Sequence, residues 1–475
     1  MPRFPVNISG GTSRYKSRSL SNQRTINLRP WLIQDDPSVK YKYILENFAG
    51  KKLFSSDNDY GVSRGLVEYK GILYRIAGTN LYSVSSSGVH TLIGSVGGSN
   101  ERCVFAKAVD GLVICNGAGQ AYIYKPDVLS FSQISDNDIE APVSCTFLNN
   151  QTIYDGDGGR FVVSDVGDST SINGLNYATA ESNVDDLVSV YAFNQRLYLF
   201  GEKTIETWWN SGSGSPPFDR IEGGIFQIGL ASRDSLSSND NGMYFLSDEK
   251  RVVFIGSSGF QYVSTDAIEQ EISQYDDYAS SVGFCMTLEG HNYYALTFPT
   301  SDKTFIFPEE GQWFEWSSGT SFGRDISNSY VSVYNKNIVD DYRNGNLYEL
   351  DFNTYTNNGD AMLRVRDTAP FHSGIIGDAE GRDIVINRFE LFMETRVGDL
   401  VGESHDPQIS LQLSYDGGRT FGNEYRALIG NTNQDFIKVY WDNLGRAENV
   451  VFRILISDPV YVSIHSAFID ASVTL

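Results

Sequence analysis

Ile72-Leu73-Tyr74-Arg75-Ile76, then Leu81-Tyr82-Ser83-Val84 after the break Ala77-Gly78-Thr79-Asn80, is the stretch that decides the fold. Two short runs of aliphatic and aromatic residues around a Gly/Asn break predict a β-hairpin. The pattern recurs at Leu112–Cys115 with Ala121–Tyr124, Thr152–Tyr154 with Arg160–Val163, and Arg196–Phe200 with Thr204–Trp208. It continues at Met243–Leu246 with Val252–Ile255, Tyr293–Leu296 with Thr304–Phe307, and Val331–Tyr334 with Leu347–Leu350. Aligning Leu73, Leu112, Thr152, Leu197, Met243 and Tyr293 gives intervals of 39, 40, 45, 46 and 50 residues. A four-stranded propeller blade takes about 40–50 residues. Seven such units fit between about 56 and 365, so the repeat predicts a β-propeller; a pair of irregular β-sandwiches is the competing reading. No window of a dozen residues carries a capped 3.6-residue period.

The pattern changes after Arg366. Longer strands are expected at Ile384–Thr395, Gln408–Ser414, Asp435–Trp441, Val450–Ile456 and Tyr461–Ile469, the content of a β-sandwich. The expected fold class is all-β: an N-terminal arm with a first strand over 1–55, a propeller over 56–365 and a sandwich over 366–475.

Charge separates the same regions. Residues 1–55 hold ten Lys/Arg against three acids, a balance of +7 on a chain of net charge −22, which leaves −29 on the other 420 residues. A basic arm on an acidic body is expected to dock on an acidic neighbour, with Arg14, Lys16, Arg18, Arg24 and Arg29 as the candidate contacts. The acidic body argues against non-specific nucleic-acid binding, which needs a basic footprint, and against docking on anionic membranes. No apolar run reaches the length of a membrane span, and Met1–Gly11 lacks the apolar core of a secretory signal. Cys103, Cys115, Cys145 and Cys285 are too sparse for a disulfide framework, and neither they nor the five histidines have zinc-ligand spacing. No metal or cofactor is expected.

Motifs with possible chemistry read as structure. Gly61-Val62-Ser63-Arg64-Gly65 matches a nucleophile elbow, but a strand follows where the elbow needs a helix. Ser414-Tyr415-Asp416-Gly417-Gly418-Arg419-Thr420-Phe421 matches the Asp-box of sialidases, whose physics is that of a tight turn. Asp155-Gly156-Asp157-Gly158-Gly159 lacks the later acid of a calcium loop. Glu309-Glu310 and Asp340-Asp341 are acid pairs of the kind that 59 acids produce by chance. Trp208, Trp209, Trp313 and Trp316 fall at strand spacing and are expected in packing. The chain is expected not to be an enzyme.

Gly61–Tyr82 resembles the tail-hub, or packaged-DNA stabilisation, proteins of short-tailed bacteriophages, the podoviruses related to lambdoid Salmonella phages. The positions that carry it are Gly61, Val62, Ser63, Arg64, Gly65, Glu68, Tyr69, Tyr74, Arg75, Gly78, Leu81 and Tyr82. Gln227–Ala231, then Asp416-Gly417, Tyr425, Trp441, Gly445-Arg446 and Ser457–Val460, follow in the family's order. The likeness spans roughly 40–475; the first 40 residues and the loops at 211–217 and 300–312 depart from it. The resemblance implies a head-to-tail connector: a hexameric ring under the portal protein that lengthens the DNA channel and holds the packaged genome. It implies further partners in tail fibres, spikes or an adaptor and a needle or plug. Genomic DNA would pass without sequence recognition, and the protein, without membrane insertion, would assemble in the host cytoplasm and reside in the virion tail. The alternative is a propeller carbohydrate-binding or sialidase-like receptor protein. That reading requires arginines such as Arg64, Arg75, Arg160, Arg196 and Arg220 to converge in one mouth. A scaffold or baseplate component of another phage type is a third reading.

Overall fold

The computed structural model describes residues 2–17, 21–33, 43–56, 60–180, 185–309, 311–377, 381–396, 406–430 and 436–474. Five successive four-strand antiparallel sheets come first. They begin with Ser63–Tyr69, Val104–Lys107, Cys145–Leu148, Leu187–Phe193 and Ser237–Ser238. A sixth unit runs Val282–Leu288, His291–Phe298, Lys303–Pro308, Phe314–Glu315. A seventh runs Tyr330–Val333, Lys336–Asp340, Leu347–Asp351, and its fourth strand is Gly50–Ser55 from the other end of the chain. The first strands of successive sheets touch, with sheets four and five joined by the Tyr191–Ser238 hydroxyl pair at 2.8 Å, and the seventh returns to the first. The sheets are therefore the blades of a closed propeller, seven among the described residues.

The turn between the first and second strands repeats. In five blades it is a two-residue turn with both φ positive: Lys70-Gly71, Asn149-Asn150, Asn194-Gln195, Glu289-Gly290 and Tyr334-Asn335. That backbone is the type I′ hairpin turn, whose twist matches that of the strands it joins.

The expected hairpins are the second and third strands of blades one to six. In the seventh, Val331–Tyr334 overlaps the first strand, and the second is Lys336–Asp340, which sequence inspection passed over. The one α-helix among the described residues, Asp266–Ile272, lies between blades five and six.

Beyond blade six its sheet does not stop. Phe314–Glu315 pairs with Asn22–Ile26, which pairs in turn with Arg364–Asp367. Next come Asn449–Ile456, Gln408–Ser414 and Tyr425–Leu428, so blade six and one sandwich sheet form a single continuous sheet. The second sandwich sheet is ordered Leu28–Leu32, Tyr43–Asn47, Tyr461–Val473, Ile384–Arg396, Phe436–Ala447, with Arg3–Val6 on Tyr461–Val473. Between the two sheets lies the largest core, where Phe389 stacks on Phe452 at 4.6 Å beside Trp441, Leu391 and Ile454.

These pairings correct the expected division at residue 55. The described residues of 1–55 are not a free arm: they supply a strand to blade seven, two to the connecting sheet and three to the second sandwich sheet. Asn27, at φ 55°, is the hinge that carries the chain from one sheet to the other. Its side chain accepts from Ser317 N at 3.0 Å and donates to the carbonyls of Ser317 (2.9 Å) and Leu363 (2.8 Å).

Candidate functional site

A dense buried polar cluster lies where the N-terminal strands meet blade six and the sandwich. Arg24 makes a two-pronged contact with Glu315, its Nε donating to Oε1 at 2.8 Å and an Nη to Oε2. Lys303 Nζ adds a bond to Glu315 at 3.3 Å. Burial alone would raise the Glu315 carboxyl, but the charge and hydrogen bonds of Arg24 and the charge of Lys303 hold it down at about 2. Burial pulls the other way on Arg24, and Glu315 outweighs it, so the guanidinium is held more firmly protonated. Nearby, Glu271 accepts from Arg14 at 3.4 Å, and its carboxyl is raised by burial and by the charge of Glu315.

Two further arginines are fully buried at the same junction. Arg366 donates to the carbonyls of Gly10 (2.9 Å) and Gly11 (3.1 Å), to Thr25 Oγ1 (2.8 Å) and to Gln23 Oε1 (2.6 Å). Arg364 binds the Val460 carbonyl at 2.6 Å and Asn47 Oδ1 at 3.2 Å. Desolvation brings both guanidiniums down to about 10, still charged at neutral pH. Arg453 and Asp367 add a two-pronged pair at 2.7 Å. Lys51, on the ring-closing strand, meets Asp325 at 2.6 Å with both side chains fully buried.

The family-motif residues of the first blade act as clamps between blades. Arg64 is buried and donates to four carbonyls, of Glu101 (2.7 Å), Gly78 (3.0 Å), Gly97 (2.6 Å) and Asn116 (2.6 Å), tying blade one to blade two. Arg75 reaches the Gly345 carbonyl of blade seven at 2.6 Å and the Gly61 carbonyl at 3.5 Å. Tyr69 donates to the Ala108 carbonyl at 2.7 Å, and Glu68 pairs with Lys107 at 2.9 Å. A Cβ on Gly65 would lie 2.7 Å from the Phe105 ring, which is why the position is glycine. Tyr82 packs on Tyr60 at 5.1 Å. Ser63 is buried at the start of the innermost strand, its hydroxyl toward Asp340 and no helix behind it.

Asp416 organises the Asp-box turn: its carboxylate accepts from Ser414 Oγ (2.7 Å), Arg419 N (2.9 Å), Thr420 N (2.9 Å) and Thr420 Oγ1 (2.6 Å). Those bonds, foremost the ones from Thr420, hold its carboxyl well below the usual range. Asn22 donates to the carbonyls of Gly417 (3.0 Å) and Gly418 (2.9 Å), so the turn is a socket for the N-terminal strand. Asp155 and Asp340 play matching parts in blades three and seven. Each ends a second strand and accepts from two amides at the start of the first: Val143 and Ser144 at 2.9 and 2.8 Å, Asn328 and Ser329 at 2.9 and 2.6 Å. Burial pushes the Asp155 carboxyl up to about 6.

Of the charges expected to reach a neighbour, Arg24 and Arg29 are buried within the chain. Arg29 pairs with Glu46 at 3.0 Å, directly across the strand pair, donates to Tyr293 Oη at 3.1 Å, and lies over the rings of Trp31 and Phe352. This corrects the docking assignment for those two: strand pairing turns them inward onto acids of their own chain. Arg14 is half-buried against Glu271, Lys16 is exposed, and Arg18 lies outside the described residues. The arginines a sialidase would bring together are dispersed. Arg64 and Arg75 serve blade one, Arg160 lies over Tyr177 in blade three, and Arg196 and Arg220 belong to blade four, Arg220 with Glu206 at 3.8 Å. Trp313 and Trp316 are core residues, Trp208 donates to Glu206 at 2.9 Å, and Trp209 is exposed. Glu309 accepts from Asn241 and Asn292 and lines a 410 Å³ groove with Trp31, His291 and Tyr293. No helix among the described residues is long and apolar enough to cross a membrane. Sequence reading missed Glu315, Arg366 and Asn22 because their partners lie some 290 to 400 positions away.

No curated protein sequence matches the chain. Among solved structures it is similar to the Neurospora crassa Pan2 WD40 domain, with 8% identity over 64% of this chain and 95% of that one and a TM-score of 0.42. BamB from Moraxella catarrhalis is similar at 10% identity over 74% and 96%, with a TM-score of 0.40. Two family models match in succession: "Bacteriophage P22 Gp10, beta-propeller" over residues 5–355 and "Bacteriophage P22 Gp10, beta-sandwich" over residues 375–472. With the propeller and the sandwich both accounted for in that order, the chain belongs to the bacteriophage P22 Gp10 family and is a structural protein of a phage virion.

Proposed function

We propose that the chain is the hub of a podovirus tail. Several copies, six in the simplest arrangement, form a ring beneath the portal protein, lengthen the DNA channel and retain the packaged genome. The ring carries fibres, spikes or their adaptor and a needle or plug, and works without catalysis or cofactor after assembly in the host cytoplasm. The observation that carries this reading is the pair of family matches spanning both domains. Electrostatics support it. Beyond residue 55 the chain bears −29, and an acidic lumen repels phosphate, so DNA slides without adhering. The N-terminal strands bind the two domains into one stiff unit, as a part that bears the pressure of a packed genome requires.

Particles assembled without this protein provide the test. They are expected to package DNA and then lose it, so genome content and nuclease protection both fall while capsid yield is unchanged. Full retention of nuclease-resistant DNA in such particles would contradict the reading.

A further inference from the structure

The exposed large aliphatic residues of the propeller are concentrated on one of its faces. A four-strand meander brings its first-to-second and third-to-fourth turns to the same end. On that end blades two and three present Val109, Val128, Leu129, Val166 and Leu175, with Ile72 of blade one beside them. Bonds between these turns make the surface continuous: Lys70 with Asp127 at 2.6 Å joins blades one and two, and Ser169 Oγ donates to Asp110 at 2.6 Å across blades two and three. Leu129 is 80% exposed and sits at φ 52°, a left-handed conformation that costs a bulky residue energy and gains no packing within the chain. The same turns of blades five and six carry Asn239, Asp240, Ser257, Ser258, Glu289 and Glu309, so the apolar surface is local.

A second apolar surface lies on the sandwich. Tyr415, Tyr425, Leu428, Phe436 and Tyr440 are exposed and follow the edge formed by Gln408–Ser414, Tyr425–Leu428 and Phe436–Ala447. The continuous sheet fixes where this edge lies. It runs from the innermost strand of blade six, through Asn22–Ile26 and Arg364–Asp367, to Tyr425–Leu428 at its far end. At about 4.8 Å per strand that is on the order of 40 Å from the propeller's inner ring. In a ring of seven, blades two and three stand opposite blade six. The two apolar surfaces therefore lie at opposite ends of the molecule, and neither can cover the other within one chain.

Charge selects what covers them. On a chain of net −22, copies repel except where local charges cancel. Both surfaces are rimmed by cancelled charges: Lys70–Asp127, Lys107–Glu68 and Lys125–Asp110 on the propeller, Arg388–Asp442, Lys438–Glu390 and Arg426–Glu424 on the sandwich. A basic partner would seek the acidic surface elsewhere. We infer that copies of this chain associate head to tail, the aliphatic face of blades two and three on one copy covering the aromatic sandwich edge of the next. Two unlike surfaces on one chain make a heterologous contact, which closes into a ring when its rotation allows. This rests on the hub reading and names the surfaces that build its ring.

Surface cysteines test it in the full-length chain, whose native Cys103, Cys115 and Cys145 are buried. Leu129→Cys and Tyr440→Cys, each alone, mixed, and combined in one chain, are treated with a short bis-maleimide in the presence of portal protein. The mixture is expected to give a covalent dimer, the combined variant a ladder of multimers, and each single variant no more product than wild type. Leu129→Asp and Tyr440→Asp are expected to lower the copies captured per portal at least tenfold with an unchanged melting curve. Cross-linking of Leu129→Cys with itself, or a ring whose mixed variants never cross-link, overturns the inference and leaves the hub reading standing. A wild-type chain that stays monomeric with and without portal overturns the hub reading first, and this inference with it.

Discussion

Arg24 and Glu315 are 291 positions apart, and each is buried beside the other. Removing one partner of such a pair strands the other charge in a low-dielectric setting, at a cost of about 3–5 kcal/mol. Arg24→Ala is therefore expected to lose stability near the lower end of that range, because Lys303 still contacts Glu315, and urea unfolding measures it. The titrations have opposite signs. Glu315 is depressed to about 2, so its stabilisation is complete above its ordinary value near 4.5 and is lost as pH falls toward 2. Asp155 is raised to about 6, so the folded chain holds its proton longer than the unfolded one, and stability declines as pH rises from about 4 to 6. Asp155→Asn keeps an acceptor for the two amides and removes that decline. The difference in unfolding free energy between variant and wild type, measured in urea, is expected to grow in the variant's favour by about 3 kcal/mol from pH 4 to 6 and then level off. A flat difference would refute the buried-carboxylate assignment.

At the scale of elements, the strand Gly50–Ser55 closes the propeller. Without it blade seven has three strands and Asp325 loses Lys51. A fragment covering 56–365 is expected to bind a hydrophobic dye and show weak amide protection at Leu347–Asp351, and adding residues 1–55 within the chain abolishes the dye binding and restores the protection. A fragment that melts cooperatively near the wild-type temperature would refute the closure. The second and third strands of six blades were legible because they are short, buried and bounded by turn residues. The closing strand was not: its partner is some 300 positions away, and only ring closure brings the two together. Blade seven misled for a related reason, since Tyr334-Asn335 forms a left-handed turn without the glycine that signals one. Likewise Arg24 and Arg29 looked like surface charge, because charge counting along a sequence cannot see Glu315 and Glu46 arriving across strand pairs. The first-blade motif was legible as a family likeness, while the part Arg64 plays, four carbonyls gathered from two blades, required the fold.

For the whole molecule, the sheet that runs from blade six into the sandwich and the buried Arg366 cluster join the two domains directly. Calorimetry is expected to give one unfolding transition; two well-separated transitions would show that the propeller and sandwich are energetically independent. Replacing Arg366 by Met removes bonds to Gly10, Gly11, Gln23 and Thr25 at once and is expected to lower that transition more than any single surface change. The same stiffness bears on the central claim. A family member built as one rigid body, acidic outside its N-terminal strands, suits a ring subunit through which DNA moves. The mass of the purified protein, alone and mixed with a dodecameric portal, tests this most directly. Six copies captured per portal is the predicted result; a monomer that leaves the portal's mass unchanged would contradict it.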